Sequence, residues 1–287
     1  MAVYKRTYKG YSGPMTAEWS RFLIIPRFTW QTLFQQRFLT IFYVLCFFYP
    51  FVCALGIYLN NNLGFLAQYV TVPKGGFLEV TGNFFLIYTN VQGVFAFLLT
   101  AFIGPGLVSP DLANGGLPLY FCRPFSRTEY VAGKMMVIAG LLSKITWIPG
   151  LALWGLQAAL VGGTWWRDNL WLAGAIVASS CIYIALIAFL SLALSAWVRW
   201  RIVAGALMLV VFFLFAGLGA AVNAVMRIDA GSLLDPGRNL EYIAMELFGR
   251  ELPESASFEQ SMAAVALMIG FCVWLLAKKV RANEVVR

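Results

Sequence analysis

A chain of 287 residues that is 61% hydrophobic and 12% charged, with mean hydropathy +0.76, carries about half the charge of a soluble protein of its size. That composition points to lipid as the solvent. A large soluble helical bundle would need polar helix faces, and the long charge-free intervals lack them.

At the Met1 end, Lys5, Arg6, Lys9, Glu18, Arg21 and Arg27 interrupt the segment, and no short apolar core precedes a cleavage site, so a secretory signal is not expected. PRFTWQTLFQQRF, 26–38, follows. Pro26 suits a first helical position. Trp30, Leu33, Phe34 and Phe38 recur at helical spacing, with Arg27, Gln31, Gln35 and Gln36 between them. The pattern predicts a helix lying in the cytoplasmic interface; the other reading is the start of the first span. Residues 1–38 are thus expected as N-terminus and interfacial helix.

The fold class expected is an all-α integral membrane protein. A bilayer core takes about 20 apolar residues per helix. Six spans are predicted, at roughly 39–59, 84–107, 139–162, 170–196, 203–225 and 261–277. They form a membrane domain, 39–277, with a short tail, 278–287. Six spans put both ends of the chain on one side. That side carries 15 basic residues against 5 on the other, with Lys144 inside a span. The positive-inside rule makes it cytoplasmic. The net charge of +8 then reflects topology and contact with anionic lipid, not nucleic acid: no basic stripe with interleaved aromatics faces water. Trp165, Trp166 and Trp171 flank an outer turn, and Trp197 and Trp200 an inner one, at headgroup level.

Between spans two and three lies a cytoplasmic loop, 109–134: SPDLANGGLPLYFCRPFSRTEYVAGK. Ser109 can cap and Pro110 can open a short helix through Asp111, ending at Asn114-Gly115-Gly116. Pro124 disfavours helix at Arg123. Ser126-Arg127-Thr128-Glu129 fits a capping box, with Phe125 and Tyr130 at the staple positions, so a helix should start at Ser126 and run into span three. The loop is a built element. Its apolar Leu117, Leu119, Tyr120 and Phe121 need a surface, either membrane or a partner protein.

Lys144 lies within the third span, where an ionisable residue is a candidate for function; snorkelling to the cytoplasmic interface is the alternative. Asn90, Gln92, Gln157 and Asn223 are candidates for lining a translocation path, against helix–helix hydrogen bonding. The outer segment 227–260 is acidic. Its NLEYIAMELFG stretch places Leu240, Ile243, Ala244, Leu247 and Phe248 on one face with Gly249 as a stop, predicting a short outer helix, either a structural lid or a substrate gate.

The chain has no histidine and no phosphate loop, since Gly133-Lys134 is followed by methionine. All 13 acidic residues map in sequence to loops or ends, which counts against ion-coupled transport and against intramembrane catalysis. The cysteines (46, 53, 122, 181, 272) have no C-x-x-C spacing, so neither a zinc site nor a disulfide framework is expected.

The stretch DLANGGLPLYFCRPFSRTEYVAGK resembles the cytoplasmic loop of ABC-2 type permeases, the membrane subunits of ATP-binding-cassette transporters. Asp111, Gly116, Leu117, Tyr120, Arg123, Pro124, Ser126, Arg127, Tyr130, Gly133 and Lys134 sit at matching places. Cys122 departs from the small polar residue often found there. Span order, the interfacial helix and the long segment before span six are also similar. The resemblance implies that this loop is a coupling helix docking on a separate ATPase subunit. It further implies that ATP and Mg bind that partner rather than this chain, and that a second permease, identical or homologous, completes the unit. The implied site residues are those of the motif together with Leu119 and Glu129; no catalytic or metal site is implied in this chain. The function expected is a permease subunit of an exporter, with a non-transporting membrane scaffold and a secondary transporter as competing readings.

Overall fold

The computed structural model describes residues 18–62, 80–116, 126–198, 200–227, 230–253 and 255–279. Among them there is no strand. Apolar segments without water must satisfy their own backbone, and helices do so within one segment. A 3-10 turn, Glu18–Leu23, leads into α1 (Ile24–Phe34). Then come α2 (Arg37–Leu45), α3 (Phe48–Asn61), α4 (Gly82–Ile103), α5 (Pro105–Ala113), α6 (Arg127–Ile145) and α7 (Trp147–Val161). The short α8 (Trp165–Asp168), the long α9 (Leu170–Trp197) and α10 (Arg201–Met226) follow. A 3-10 turn, Ala230–Leu234, precedes α11 (Pro236–Leu247), and α12 (Phe258–Lys279) ends the described chain.

Six helical stretches are long and apolar enough to cross a membrane: Arg37–Asn61, Gly82–Asp111, Arg127–Val161, Leu170–Trp197, Ile202–Met226 and Phe258–Lys279. They match the expected spans, except that the third begins well before 139, as the Ser126 cap requires.

Three of the six are broken, each beside a proline. Pro50 has no N–H to give the carbonyl of Cys46, and the first span breaks at Cys46–Phe47. The Gln92 side chain donates to that carbonyl at 3.0 Å. Gly104-Pro105 breaks the second span, and Thr146, three residues before Pro149, breaks the third. There Tyr88 Oη donates to the Thr146 carbonyl at 3.0 Å.

α9 is the hub, touching α4, α5, α6, α7, α10, α11 and α12. Its C-terminal half buries Ala188, Ser191, Ala193, Ser195 and Ala196, small residues that let neighbouring backbones approach. At Gly104 a side chain would overlap the Ser191 hydroxyl. By contrast, α10 and the first and last spans leave most of their apolar surface uncovered, the pattern of lipid-facing helices.

α1 packs along α6. Ile25 rests on Gly133 and Trp30 on Gly140, two positions where a Cβ would collide. Trp30 Nε1 donates to the Val137 carbonyl at 3.1 Å. The expected single helix over 26–38 is corrected here. It stops at Phe34, Gln36 is extended, and Phe38 belongs to α2, where its ring meets Phe102 at 5.4 Å. Phe34 is therefore left 40% exposed, off the packed face.

A second correction concerns the segment after α10. The helix over 236–247 forms as its face predicts, with Leu240, Ile243, Ala244 and Phe248 buried and Gly249 at φ 68°. It does not stay at the outer ends of the spans. Asn223 Oδ1 accepts the Gly231 amide at 2.7 Å, and Gly219 packs against Gly231. The chain thus folds back along α10 until Gly237 meets the Phe212 ring, halfway down that helix. α11 then climbs outward, Leu240 and Ile243 against Leu186 and Val265, to place Phe248 against Gly82. Asp235 caps it, accepting from the amides of Gly237 (2.8 Å) and Arg238 (3.2 Å). The Asp-Pro-Gly start was legible in the sequence.

Gly219→Leu would push a side chain into the Gly231 carbonyl. It should lower stability by about 1–3 kcal/mol, read as a lower melting temperature in detergent. Gly217→Leu, on the same helix with open space around it, should leave the melt unchanged.

Candidate functional site

The loop expected to carry function is anchored at both ends. On its upstream side α5 begins at Pro105, not at Pro110, which lies inside the helix. Ser109 is correspondingly not a cap. Its hydroxyl donates to the carbonyls of Ser195 and Val198, and its amide donates to Ser195 Oγ at 3.0 Å. Ser195 Oγ also accepts the Val108 amide (3.2 Å) and donates to the Pro105 carbonyl (2.9 Å). One buried serine of α9 therefore supplies what a sequence reader assigns to a local cap. The expected stop is found: Gly115 has φ 65°, and the Gly116 amide donates to the Asp111 carbonyl at 2.7 Å, closing the helix end.

On the downstream side the capping box forms. Glu129 Oε2 accepts the Ser126 amide at 2.6 Å, and Ser126 Oγ accepts the Glu129 amide at 3.2 Å. The box sets the start of α6 and thereby the angular position of Tyr130 and Lys134, one turn apart.

Those two side chains meet Asp111 from across the loop. Lys134 Nζ lies 2.8 Å from Asp111 Oδ2, and Tyr130 Oη donates to the same oxygen at 2.7 Å. The ammonium also sits 5.4 Å from the centre of the Tyr130 ring. Tyr130 is fully buried and Lys134 is 6% exposed. Lys134 is withdrawn from water and Asp111 only half-buried; a buried ammonium holds only if it is paired, and a carboxylate taking both it and a phenol meets that condition. The cluster joins the end of span two to the start of span three. Of the predicted residues, Asp111, Tyr130 and Lys134 meet here; Gly116 closes the end of α5, Ser126 and Glu129 cap α6, and Arg127 is exposed on its first turn. Leu117, Leu119, Tyr120, Arg123, Pro124 and the staple residue Phe125 lie outside the described residues.

The polar candidates for a path separate. Gln92 serves the broken first span. Gln157 is buried and accepts from Asn61 Nδ2 at 2.7 Å, tying span three to span one. Asn223 holds the folded-back segment. Lys144 lies over the Trp30 ring at 4.8 Å, on the face that α1 covers. Only Asn90 opens onto a cleft, of about 450 Å³, between α4, α9, α10 and α11. Val94, Phe97, Tyr183, Phe212, Phe213 and Glu241 also line it. The cleft sits beside the midpoints of its helices. Asp235 and Glu241, which map in sequence to a loop, are carried back along α10, Asp235 buried as the cap of α11 and Glu241 exposed at the rim of the cleft. Glu241 was missed for that reason; nothing local in the sequence marks its depth.

No protein-family model matches the chain, and no curated protein matches it. What the fold and the site define is a class: an all-helical protein with six helices long and apolar enough to cross a membrane. A buried acid–tyrosine–lysine cluster closes the loop between its second and third spans.

Removing one partner of the buried pair strands the other. Asp111→Ala is expected to cost about 3–5 kcal/mol, measured as loss of folded protein in a detergent melt. Asp111→Ala combined with Lys134→Met should recover most of that loss.

Proposed function

We propose that the chain is the membrane subunit of an ATP-driven exporter of the ABC-2 permease type, working with a separate ATPase that binds ATP and Mg. The observation that carries this reading is the Asp111–Tyr130–Lys134 cluster. Three residues of the resembling motif, from both sides of the loop, converge on one carboxylate oxygen. A loop that must receive force needs a base that does not yield, and this cluster ties its two ends to spans two and three. Ser195 extends the tie to α9, the helix that touches most of the others. Residues 117–125 then form the docking element for the ATPase, with 109–134 as the coupling loop.

In this reading α1 lies at the inner membrane interface. Both ends of the chain are cytoplasmic, the membrane is the plasma membrane of a bacterium, and a second permease, identical or homologous, faces the cleft that Asn90 lines. A second reading has an observation in its favour: the segment after α10 folds back along that helix and carries Asp235, which is buried, and Glu241, which lines the cleft, and carboxylates near the spans are what an ion-coupled transporter needs. Nucleotide dependence separates the two, and separates both from a scaffold that moves nothing.

Affinity purification from native membranes should bring down a Mg-dependent ATPase activity. Arg123→Glu with Leu117→Asp should abolish that association while the permease remains folded. Retention of the full ATPase activity by this variant would overturn the docking assignment. A pull-down with no ATPase at all would overturn the exporter.

A further inference from the structure

We infer that the cleft beside α11 binds a hydrophobic organic cation, with Glu241 as its counter-charge. As the substrate class of the exporter this rests on the permease reading; the binding site itself stands on the cleft alone. Three aromatic rings make its body. Phe97 and Phe212 lie 4.6 Å apart at a tilt of 46°, and Phe213 stands edge-on to Phe212 at 6.4 Å. Asn90 and Glu241 supply polarity at the mouth, and no lysine or arginine is among the lining residues. Tyr183 Oη is already committed, donating to the Gly93 carbonyl at 2.5 Å.

Charge decides the ligand. Arg238, one turn before Glu241, lies 3.7 Å from the capping Asp235. Among the described residues, no ion pair or hydrogen bond is formed by the Glu241 side chain. Glu241 is exposed at the rim of the cleft, so its carboxylate is accessible to an incoming charge. Phenyl rings present negative faces to a cation, adding to the same preference. An anion would meet repulsion from both, and a neutral apolar ligand would leave the carboxylate unpaired. The volume, about 450 Å³, is within the range of small-molecule sites.

The test uses the full-length chain in nanodiscs without any ATPase. Tetraphenylphosphonium and tetraphenylborate have the same shape and opposite charge, and each is titrated with empty nanodiscs subtracted. The wild-type chain should bind the phosphonium saturably and the borate far more weakly. Glu241→Gln should weaken phosphonium binding by about tenfold, and Glu241→Asp should retain most of it. Equal binding of the two ions by the wild-type chain would overturn the proposal without recourse to any variant. So would unchanged phosphonium affinity in Glu241→Gln. If no saturable binding occurs and Val94→Cys cross-links between two chains, a second copy fills the cleft and the proposal is wrong. Since no nucleotide is involved, loss of the ATPase association above leaves these outcomes untouched. Binding with the right selectivity but no ATP-driven efflux would retain the site and remove the exporter.

Discussion

Most polar groups that this chain takes out of water find a partner inside the chain; among the described residues Gln92 Oε1, Ser191 Oγ, Asn239 Oδ1 and Ser261 Oγ do not. Lipid offers no donors or acceptors, so each break in a helix exposes a backbone group that something must satisfy. The fold can be followed from one such repair to the next. Pro50 frees the Cys46 carbonyl, and Gln92 bonds it from the neighbouring span. The third span breaks before Pro149, where Tyr88 adds a second donor to the Thr146 carbonyl, which already takes the Gly150 amide. Gly104-Pro105 opens the second span, and Ser195 of α9 bonds the amides and carbonyl of the turn that follows. Each repair also ties two spans together, so the kinks that appear to weaken the helices fix their arrangement.

The same requirement shapes the two places where charge is buried. At the loop between spans two and three, Asp111 is answered by Lys134 and Tyr130, and the result is a rigid base. In the segment after span five, Asp235 is answered by the first amides of α11, and Asn239 ties the preceding turn to that helix through the Leu233 and Asp235 carbonyls. The second solution is local, and the first reaches across the loop. Glu241 stands apart because its carboxylate faces a cleft rather than a partner.

Much of this was legible in the sequence, and the reason differs by residue. The capping box at Ser126 and Glu129 was legible because its partners are three residues apart and the geometry is that of one helical turn. The stop at Gly115-Gly116 was legible for the same reason. Ser109-Pro110 misled because a serine before a proline looks like a helix start, whereas its hydroxyl is drawn to the end of α9, 86 residues away. The pairing of Asp111 with Lys134 could be guessed only through resemblance, since nothing in a 23-residue separation specifies contact. The polar candidates divide between the two uses that the sequence allowed, hydrogen bonding between segments and lining a cleft. Gln92, Gln157 and Asn223 bond neighbouring segments, and the cleft took only Asn90.

The sequence by itself determined which segments are long and apolar enough to cross a bilayer, because length and apolarity are additive along the chain. It determined the helix starts whose caps lie within one turn. Only the tertiary structure decided that residues 230–247 fold back between the spans, carrying Asp235 and Glu241 with them. That outcome depends on Gly219 lying against Gly231 and on Asn223 catching an amide eight residues on. Depth in a membrane is set by which backbone a segment packs against, and no period or composition in the segment records that choice.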